Sequence, residues 1–333
     1  MNQPTLASLA AELQVSRQTV SNVLNFPDRV RPETRARVME AIERSGYRPS
    51  AAARALRNQK SMALGLRLSQ HRNGISGTIV DGFMHALVKR ADQRGYRIVL
   101  FPASTNDEEV DKLVGLRRSL AIDACILTDT WYGDSRPADL QREGVAFASF
   151  GRPWDGDDHG RWVDVDGRFG AMEAAGYLRG LGHDRIGFIG WDDGSPVGRD
   201  RREGWAEALD LSDADADLLT VEGEDSVLGG AEAMAALLER GADAAVCASD
   251  SLSLGAFTEA RRHNRRGVSL VGFDDTPISR TLGLTSVRQP VDEAARVVLD
   301  MVLAQLAEPE TQFSGVLVQP DLVTHEPPDF LTD

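Results

Sequence analysis

The first sixty residues carry apolar side chains at helical spacing in three short runs. Thr5 can cap the first helix, and Ser16, which follows a brief turn at Gln14-Val15, can cap the second. A third helix is predicted with Pro32 in its first turn and Gly46 as its stop. Two short helices joined by so tight a connection predict a helix-turn-helix. The apolar positions predicted to face inward are Leu6, Leu9, Ala10 and Leu13, then Val20, Val23 and Leu24, then Val38, Met39 and Ile42.

From Ala63 onward, short apolar runs alternate with amphipathic stretches, which predicts parallel, doubly wound sheets. The predicted strands are Ala63–Leu68, Arg97–Phe101, Ala124–Leu127, Val145–Ser149, Arg185–Gly190, Leu218–Val221, Ala244–Ala248 and Ser269–Phe273. The helical patterns between them include Thr78–Gln93, Phe169–Leu181, Arg199–Leu209, Gly229–Arg240 and Leu252–His263. A weak internal echo, in which helices ending at Gly95-Tyr96 and Gly182-His183 lead into strands, indicates two similar lobes. Ligands bind beyond the carboxyl ends of such strands, so two facing lobes predict a ligand in the cleft between them.

Length and composition fit an ordinary globular protein. The chain of 333 residues has room for two or three domains, with 42% hydrophobic and 26% charged residues and no bias towards disorder. No apolar run reaches the roughly 18 residues that a membrane-spanning helix needs, and the N-terminus has no apolar signal core. We therefore expect a cytoplasmic protein with no membrane partner. Cys125 and Cys247 lie in apolar, strand-like runs, which predicts buried free thiols and neither a disulfide nor a metal cluster.

The charges are segregated along the chain. The net charge is −14, but residues 1–60 hold ten cations and five anions, so this segment is +5 and the remainder is −19. A small basic segment attached to a large acidic body is expected when only the basic segment contacts a polyanion. Arg17, Gln18, Ser21 and Asn22 lie off the apolar stripe of the second predicted helix. Their side chains can hydrogen-bond to base edges or phosphates, so this helix can present a polar edge to a major groove.

Residues 5–57 resemble the DNA-binding head of the lac repressor/galactose repressor (LacI/GalR) family of bacterial transcription factors. The matching segments are Thr5-Leu6-Ala7, Val15-Ser16-Arg17-Gln18-Thr19-Val20-Ser21, Val23-Leu24-Asn25, Pro32-Glu33-Thr34-Arg35, Gly46-Tyr47-Arg48-Pro49 and Ala53-Arg54-Ala55-Leu56. The resemblance implies contacts to base edges and nearby phosphates from Arg17, Gln18, Ser21 and Asn22. It implies contacts mainly to phosphate or sugar from Thr5, Ser16, Thr19, Asn25, Thr34 and Tyr47. Asn22 stands where several relatives carry Arg, which leaves the operator sequence open, and Arg31 stands where a capping Ser is common, which weakens a cap.

Residues 50–58 form the next segment. Ser50 can cap a helix rich in Ala, but nine residues are too few for a stable isolated helix in water. The family resemblance implies a hinge helix that contains Ala53, forms when two copies meet over the minor groove, and inserts Leu56 between base pairs. The alternative is a plain flexible linker with a solvated arginine pair.

The rest of the chain, to about Val323, resembles the effector-binding core of the same family, which is built like a periplasmic sugar-binding protein. The matching segments are Trp162-Val163-Asp164-Val165-Asp166, Leu181-Gly182-His183-Asp184-Arg185-Ile186, Arg201 with Gly204-Trp205, Cys247-Ala248-Ser249-Asp250 and Gly272-Phe273-Asp274-Asp275. The resemblance implies a head at 1–49, a hinge at 50–60 and a core at 61–333. Within the core it implies one lobe of about 61–161 plus 290–323 and a second lobe of about 162–289.

A sugar-like effector needs planar hydrogen-bonding partners and an aromatic face. The resemblance assigns Arg201 and Asp274 to the effector; the alternatives are a surface ion pair for Arg201 and a structural turn role for Asp274. Asp250 is either an effector ligand or the cap of the helix that follows. Trp162 is either a lid or stacking residue or a core tryptophan. Ser249, which replaces the Asn often found before Asp250, and Arg152, Trp154, Trp191, Asp134 and Arg136 are further candidates.

An enzyme is the first rival interpretation. The sequence has no Gly-x-Ser-x-Gly elbow, no phosphate-binding loop ending in Gly-Lys-Ser/Thr, no His-Glu-x-x-His and no metal-spaced Cys/His cluster. Adjacent carboxylates such as Asp192-Asp193 and Asp274-Asp275 are typical of turns. We therefore expect no enzymatic activity, no cofactor and no metal. A secreted or periplasmic sugar-binding protein is the second rival, and the missing signal peptide and the DNA-like head argue against it.

The sequence thus predicts a DNA-binding repressor whose affinity for a near-palindromic operator is controlled by a small, carbohydrate-like effector between two lobes. No heptad segment follows Pro327-Pro328, which predicts a homodimer and not a zipper-tethered tetramer. The alternative is a regulator that binds DNA only when its ligand is bound. In both cases ligand binding and DNA binding are coupled, and the sequence does not decide whether the ligand weakens or strengthens DNA binding.

Overall fold

A computed structural model of the chain describes residues 4–47, 60–68, 77–155, 158–265 and 267–326. The chain divides into two compact units, Met1–Ser61 and Met62–Asp333, which are treated separately below. The hinge candidates Ala53 and Leu56 lie outside the described residues. No helix in the described ranges combines the length and the apolar character needed to cross a membrane.

The N-terminal unit, called the head below, is a helix-turn-helix with a third helix. Its helices are α1 (Leu6–Glu12), α2 (Arg17–Asn25) and α3 (Pro32–Ser45), and a short 3-10 turn covers Pro27–Arg29. The predicted caps are confirmed: Thr5 and Ser8 satisfy each other's backbone N–H groups, and the Ser16 hydroxyl accepts from the Thr19 N–H at 2.9 Å. Pro32 opens α3, and Gly46 ends it with a φ of 65°.

The core of the head is small and nearly all aliphatic. The most buried side chains are Leu9, Ala10, Val20, Val23, Val38 and Ala41. The prediction that Met39 is buried is wrong, because Met39 is 40% exposed. Successive helical residues are rotated by about 100°, so Val38 and Ala41 share the inner face of α3 while Met39 turns away from it.

The second unit, called the core, contains two six-stranded sheets. In chain order the strands are β1 (Ala63–Leu68), β2 (Arg97–Pro102), β3 (Ala124–Leu127), β4 (Ala146–Phe150), β5 (Trp162–Val165), β6 (Ile186–Trp191), β7 (Thr220–Gly223), β8 (Ala244–Cys247), β9 (Ser269–Phe273), β10 (Thr285–Arg288), β11 (Val316–Val318) and β12 (Asp321–Val323). The helices are α4 (Gly77–Gln93), α5 (Asn106–Arg118), α6 (Arg136–Arg142), α7 (Gly167–Gly180), α8 (Pro196–Ala208), α9 (Asp213–Leu219), α10 (Val227–Glu239), α11 (Asp250–Arg262), α12 (Pro277–Leu282) and α13 (Val291–Ala307).

Each sheet is doubly wound, as predicted. The first sheet has the order β11-β5-β4-β3-β1-β2 and the second the order β12-β10-β9-β8-β6-β7. The recorded pairings are parallel except that between β10 and β12, which is antiparallel. Parallel strands need crossover helices, and these bury both faces of each sheet in aliphatic cores. Cys125 and Cys247 are fully buried in these cores as free thiols, and burial raises the pKa of both.

Two strands cross the lobe boundaries that the sequence predicts. β5 pairs with β4 and β11, so the first sheet extends beyond residue 161. β12 pairs with β10 in the second sheet, although the sequence predicts the last strand in the first lobe. The chain therefore passes from one sheet to the other after β5, after β10 and after β11.

The strand predicted at Leu218–Val221 is wrong in its first half. The Ser212 hydroxyl accepts from the Asp215 N–H at 3.2 Å and caps α9, which runs on through Leu219. The apolar pair at 218 and 219 thus belongs to the end of a helix, and the strand begins at Thr220.

The helices α10 and α11 pack against each other through their backbones. A Cβ atom at Gly255 would overlap the carbonyl oxygen of Val227, and one at Gly230 would overlap that of Leu252. Only glycine permits this approach, so the two helices are held closer than larger residues would allow.

We expect the substitution Gly255→Ala to destabilise the core by about 1–3 kcal/mol, because the added methyl group forces two packed helices apart. Gly115→Ala is the matched control, since a Cβ there, also within a helix, meets nothing within 4 Å. This variant should be neutral or up to about 1 kcal/mol more stable. Chemical denaturation of both variants measures the difference, and equal free energies of unfolding would contradict the close helix contact.

Candidate functional site

The polar edge of α2 is a continuous surface. Arg17 and Gln18 are exposed, and Ser21 and Asn22 are partly exposed. These positions recur at helical spacing, so they lie on one side of α2. The Gln18 Nε2 donates to the Asn22 Oδ1 at 2.9 Å, one helical turn further on. This bond leaves each amide further donors and acceptors for a base contact, but it orients the two side chains together and so couples the two positions.

The phosphate candidates lie in several parts of the head. The hydroxyls of Thr5 and Ser16 cap α1 and α2, and the Ser16 Oγ also lies 2.9 Å from the Thr19 Oγ1. Thr34 is in the first turn of α3 and Tyr47 follows its end, and both are half-buried. Asn25 is the last residue of α2. Several of these hydroxyls therefore already stabilise helix ends. They can contact phosphate only through the hydrogen-bonding capacity that capping does not use.

In the core, Arg201 is a charged residue in an apolar setting. It lies on α8, is 4% exposed, and donates from Nη1 to the Ala248 carbonyl at 2.5 Å. Its Cζ atom is 3.7 Å from the centre of the Phe273 ring and 5.2 Å from that of Trp191. Burial lowers the pKa of Arg201, against the attraction of Asp274 and other carboxylates. Its Nε has no hydrogen-bond partner in the part of the chain that the structure describes.

Asp274 directly follows β9 and is 9% exposed. Its Oδ1 accepts from the Gln289 Nε2 at 2.6 Å. Burial raises the pKa of Asp274 to about 7, although Arg201 opposes this rise. Arg201 and Asp274 are thus a buried donor and a buried acceptor whose charges interact in the structure.

The turn that carries Asp274 has an unusual backbone, with φ of 106° at Asp274 and 49° at Asp275. The fully buried carboxylate of Asp275 accepts from the Arg288 Nε at 2.6 Å, from the Arg280 Nη2 at 2.9 Å and from the His325 Nε2 at 2.7 Å. Burial raises the pKa of Asp275, but the bonds from Arg280, Arg288 and His325 outweigh burial and hold it below its ordinary value. These bonds fix the turn, and with it the position of Asp274.

Asp250 also stabilises this turn. Its Oδ2 accepts from the Thr276 N–H and its Oδ1 from the Ser286 hydroxyl, both at 2.7 Å. Asp250 is not the cap of α11: Ser249 is the cap, and its hydroxyl accepts from the Leu252 N–H and donates to the Asp225 Oδ1 at 2.6 Å. Asp250 and Ser249 therefore both lie near Asp274, and their side chains are hydrogen-bonded to other residues of the protein.

Arg152 connects the two lobes. It follows β4, and its Nε donates to the Asp164 Oδ2 at 2.8 Å while its Nη2 donates to the Asp200 Oδ2 at 3.1 Å. Its guanidinium lies over the Trp154 ring, 4.5 Å from the ring centre. Asp164 belongs to β5 in the first sheet, and Asp200 precedes Arg201 on α8. Burial raises the pKa of Asp164 and of Asp200, and Arg152 opposes the rise at both.

Three candidates do not join this group. Trp162 lies at the start of β5, where its Nε1 donates to the Asp158 Oδ1 at 2.7 Å and its ring lies against Gly315. Arg136 is fully buried and bonds to Asp134 and to the Glu109 Oε2, the latter at 2.7 Å. Arg136 and Asp134 thus form an internal network in the first lobe.

Sequence reasoning missed Asp164, Asp200 and Gln289 as parts of this site. Asp200 stands directly before Arg201, and Asp164 lies in the matching segment around Trp162, so both were adjacent to named candidates. Gln289 is brought to Asp274 because β10 lies beside β9 in the second sheet. That pairing is a long-range contact with no local signal.

The site between the lobes is acidic. Five carboxylates act on the two guanidiniums of Arg152 and Arg201, namely those of Asp164, Asp166, Asp200, Asp225 and Asp274. Such a site offers many hydrogen-bond acceptors and repels anions. Trp191, at the end of β6, supplies an aromatic ring beside Arg201.

Comparison with known proteins agrees with this division into a head and a core. The sequence profile "Bacterial regulatory proteins, lacI family" matches residues 5–50, and the profile "Periplasmic binding protein-like domain" matches residues 175–326. The chain is 31% identical over 320 residues to the HTH-type transcriptional regulator CelR of Thermobifida fusca, which covers 92% of this chain and 94% of that one. It is 31% identical over 336 residues to the HTH-type transcriptional regulator GalR of Salmonella typhimurium, covering 96% and 94%.

Solved structures show the same likeness. A CelR–cellobiose complex is 27% identical with a TM-score of 0.69, and the match covers 97% of this chain and 99% of that one. A lac repressor dimer bound to operator and the anti-inducer ONPF is 23% identical with a TM-score of 0.82, covering 97% and 98%. The second match establishes a common fold.

We expect the substitution Gln18→Ala to change which base is preferred at one operator position, by about 1–3 kcal/mol of discrimination, because a base-edge contact is lost and Asn22 is released from Gln18. Binding of fluorescent operator variants, each with one base pair changed, measures this. Glu40→Ala, an exposed change on α3, is the control and should leave the preference order intact. A uniform loss over all variants with Gln18→Ala would instead make Gln18 a phosphate contact.

Proposed function

Because the chain belongs to the LacI family of bacterial DNA-binding transcriptional regulators, we propose that it is a repressor that binds a near-palindromic operator as a homodimer and is released by a sugar held in its core. Members of this family regulate transcription and are not enzymes. The head is its DNA-binding part, and the periplasmic-binding-protein-like core is its effector-binding part.

The buried Arg201 and Asp274 carry the sugar proposal. A guanidinium and a carboxylate are planar groups that bond to neighbouring hydroxyls of a polyol, and the partly exposed Trp191 offers a ring face to its C–H surface. The Nε1 of Trp191 and the Nε of Arg201 are buried without partners among the described residues. Buried donors of this kind are costly, and a hydroxyl-rich ligand that reached them would remove the cost.

We further propose that this sugar is uncharged. With five carboxylates facing two guanidiniums, a phosphate group placed here would meet net repulsion. A neutral polyol meets no such penalty and finds abundant acceptors for its hydroxyl groups. Direct titration with glucose and with glucose 6-phosphate, and with the corresponding galactose pair, should therefore show binding of neutral sugars only.

Release of DNA requires that the sugar prefer one arrangement of the lobes. The Arg152–Asp200 bond links the lobes in the described structure, and both partners lie within the acidic site. A sugar that bonds to Arg152 or Asp200 changes this link. We propose that the change reaches the head through the hinge around Ala53 and Leu56, with Leu56 inserted between base pairs of the operator.

The test is operator binding with and without sugars, using fragments of the upstream region of its own gene. Arg201→Ala should leave operator affinity within about twofold while abolishing the response to a sugar that releases the wild-type protein by tenfold or more. Because Arg201 is buried, Arg201→Met is the second variant: it keeps most of the packing and removes the charge. Arg179→Ala, an exposed change on α7, should respond normally.

Normal release of both Arg201 variants would contradict an effector site at Arg201. Binding of operator only when sugar is present would replace the repressor proposal with ligand-activated DNA binding. Absence of specific DNA binding under every condition would overturn the operator proposal itself.

Effector affinity should also depend on pH near neutrality. The pKa of Asp274 is raised to about 7, so the free protein holds this carboxyl protonated below that pH. Sugar hydroxyls donate best to the ionised form, so affinity should rise by up to about tenfold per pH unit as pH rises towards 7 and level off above it. Calorimetric titrations between pH 5.5 and 8.5 measure this. In Asp274→Asn the slope should vanish, and a flat profile in the wild-type protein would rule out the assigned role of Asp274.

A further inference from the structure

A cavity in the core, with a volume of about 600 Å³, is lined by neither Arg201 nor Asp274. It lies in the second lobe, between the β6–β7 edge of the sheet and the helices α8 and α9. Phe188 and Gly190 of β6 and Thr220 and Glu222 of β7 line it, and they are paired across the two strands in the same register. Its volume falls within the roughly 300–1,000 Å³ of small-molecule sites.

Two glycines line this cavity where aromatic rings approach the backbone closely. A Cβ atom at Gly190 would lie 3.1 Å from the Phe188 ring and 3.5 Å from the Glu222 Cγ. A Cβ atom at Gly198, on α8, would lie 3.1 Å from the Trp191 ring. A side chain at either position would press against one of these rings, so both glycines keep the backbone close to the aromatic side chains that line the cavity.

The cavity shares Trp191 with the effector site. The Trp191 ring lies 5.2 Å from the Arg201 Cζ, and the same residue lines the cavity together with Gly198. Arg199, which also lines it, lies over the ring of Tyr132 from the first lobe, 5.6 Å from its centre. The cavity is therefore adjacent to the cleft between the lobes.

The lining is polar, and it is not basic. Arg199 and Arg202 line it together with Glu203, Asp217 and Glu222. Arg202 donates to the Asp217 Oδ1 at 2.6 Å, so much of the positive charge is already neutralised. Among the residues that the structure describes, no ion pair or hydrogen bond is recorded for the exposed Glu222 carboxylate, which leaves both of its oxygens open to a ligand.

These features suit a sugar ring. The partly exposed Trp191 ring can cover its C–H surface, and Glu222 can accept from two neighbouring hydroxyls. A phosphate is disfavoured, because three carboxylates and two guanidiniums line the cavity.

We propose that this cavity is a second sugar subsite, and that the effector is therefore a neutral oligosaccharide with one unit between the lobes and the next in the cavity beyond Trp191. The proposal rests on the carbohydrate effector proposed above. In this proposal, Glu222 and the glycine-lined cavity determine which length of oligosaccharide binds most tightly.

The test is calorimetric titration of the full-length protein with saccharides of increasing length. The probes are glucose, galactose and mannose, and the β-1,4-linked di- and trisaccharides of each. In the series that binds, the disaccharide should bind roughly tenfold more tightly than the monosaccharide, as one added aromatic and polar contact would give. Glu222→Trp fills the cavity from an exposed position and should remove that gain while monosaccharide affinity stays within twofold. Glu224→Trp, two residues further on and outside the lining, should keep the gain.

The outcomes separate this proposal from the previous one. If a monosaccharide binds and chain length has no effect, or if Glu222→Trp keeps the full gain, the second subsite is refuted and the effector site at Arg201 stands. If no saccharide of any series binds, the carbohydrate effector is refuted and the subsite with it. A titration with inorganic phosphate is the last arm: saturable binding that Glu222→Trp abolishes would make the cavity an anion site and overturn the proposal.

Discussion

The turn at Asp274 and Asp275 is the constraint on which the effector site depends. Both residues have left-handed backbone angles, which cost of order 1–3 kcal/mol each in residues other than glycine and persist only when the surroundings impose them. The surroundings here are the buried carboxylates of Asp275 and Asp250. Asp275 receives Arg288 from β10 and His325 from the residues after β12, and Asp250 holds Thr276 and Ser286. The antiparallel β12 at the edge of the second sheet thus has a direct consequence for Asp274, because it brings His325 to the turn.

Charge constrains the head and the core in opposite ways. The remainder of the chain beyond residue 60 carries a net charge of −19, which gives it a net repulsion from DNA. The attraction to phosphate has to come from the head, whose net charge is +5 with the hinge residues included. The same acidic excess reaches into the cleft, where it disfavours anionic ligands. One compositional feature therefore favours DNA contact through the head and disfavours anionic ligands in the cleft.

The structural features that depend on residues close together in the chain were predicted correctly from the sequence. The caps at Thr5 and Ser16 and the strands Ala63–Leu68, Ala124–Leu127 and Ser269–Phe273 have their predicted positions, because capping hydroxyls and continuous apolar runs are local signals. The short strands β5 and β10 were missed, since four residues of mixed polarity give no clear period. β12 was assigned to the wrong sheet, because strand pairing depends on contacts far apart in the chain.

The residues of the candidate site likewise divide into those with a sequence signal and those brought in by long-range contacts. Arg201 and Asp274 are in matching segments of the family and are brought together in the core. Trp162 belongs to an equally good segment, but its position at the start of β5 places its ring against Gly315. Asp200 and Gln289 have no sequence signal of their own. The crossing of the chain between the sheets brings Asp200 to Arg152, and the pairing of β9 with β10 brings Gln289 to Asp274.

Arg201 and Asp274 cannot by themselves make the protein responsive. Both lie in the second lobe, with Phe273 and Gln289, so a ligand that contacts only them binds equally well however the first lobe is placed. Equal affinity for two arrangements shifts no population, whatever its strength. Arg152 differs, because it reaches from the first lobe to Asp200 on α8. Breaking a partly buried ion pair leaves charges that need new partners, so a ligand that supplies these partners discriminates between the two arrangements. Under the proposed function, affinity for the sugar and response to it are therefore separable: we expect the first to depend mainly on Arg201 and Asp274, and the second on contact with the Arg152–Asp200 pair.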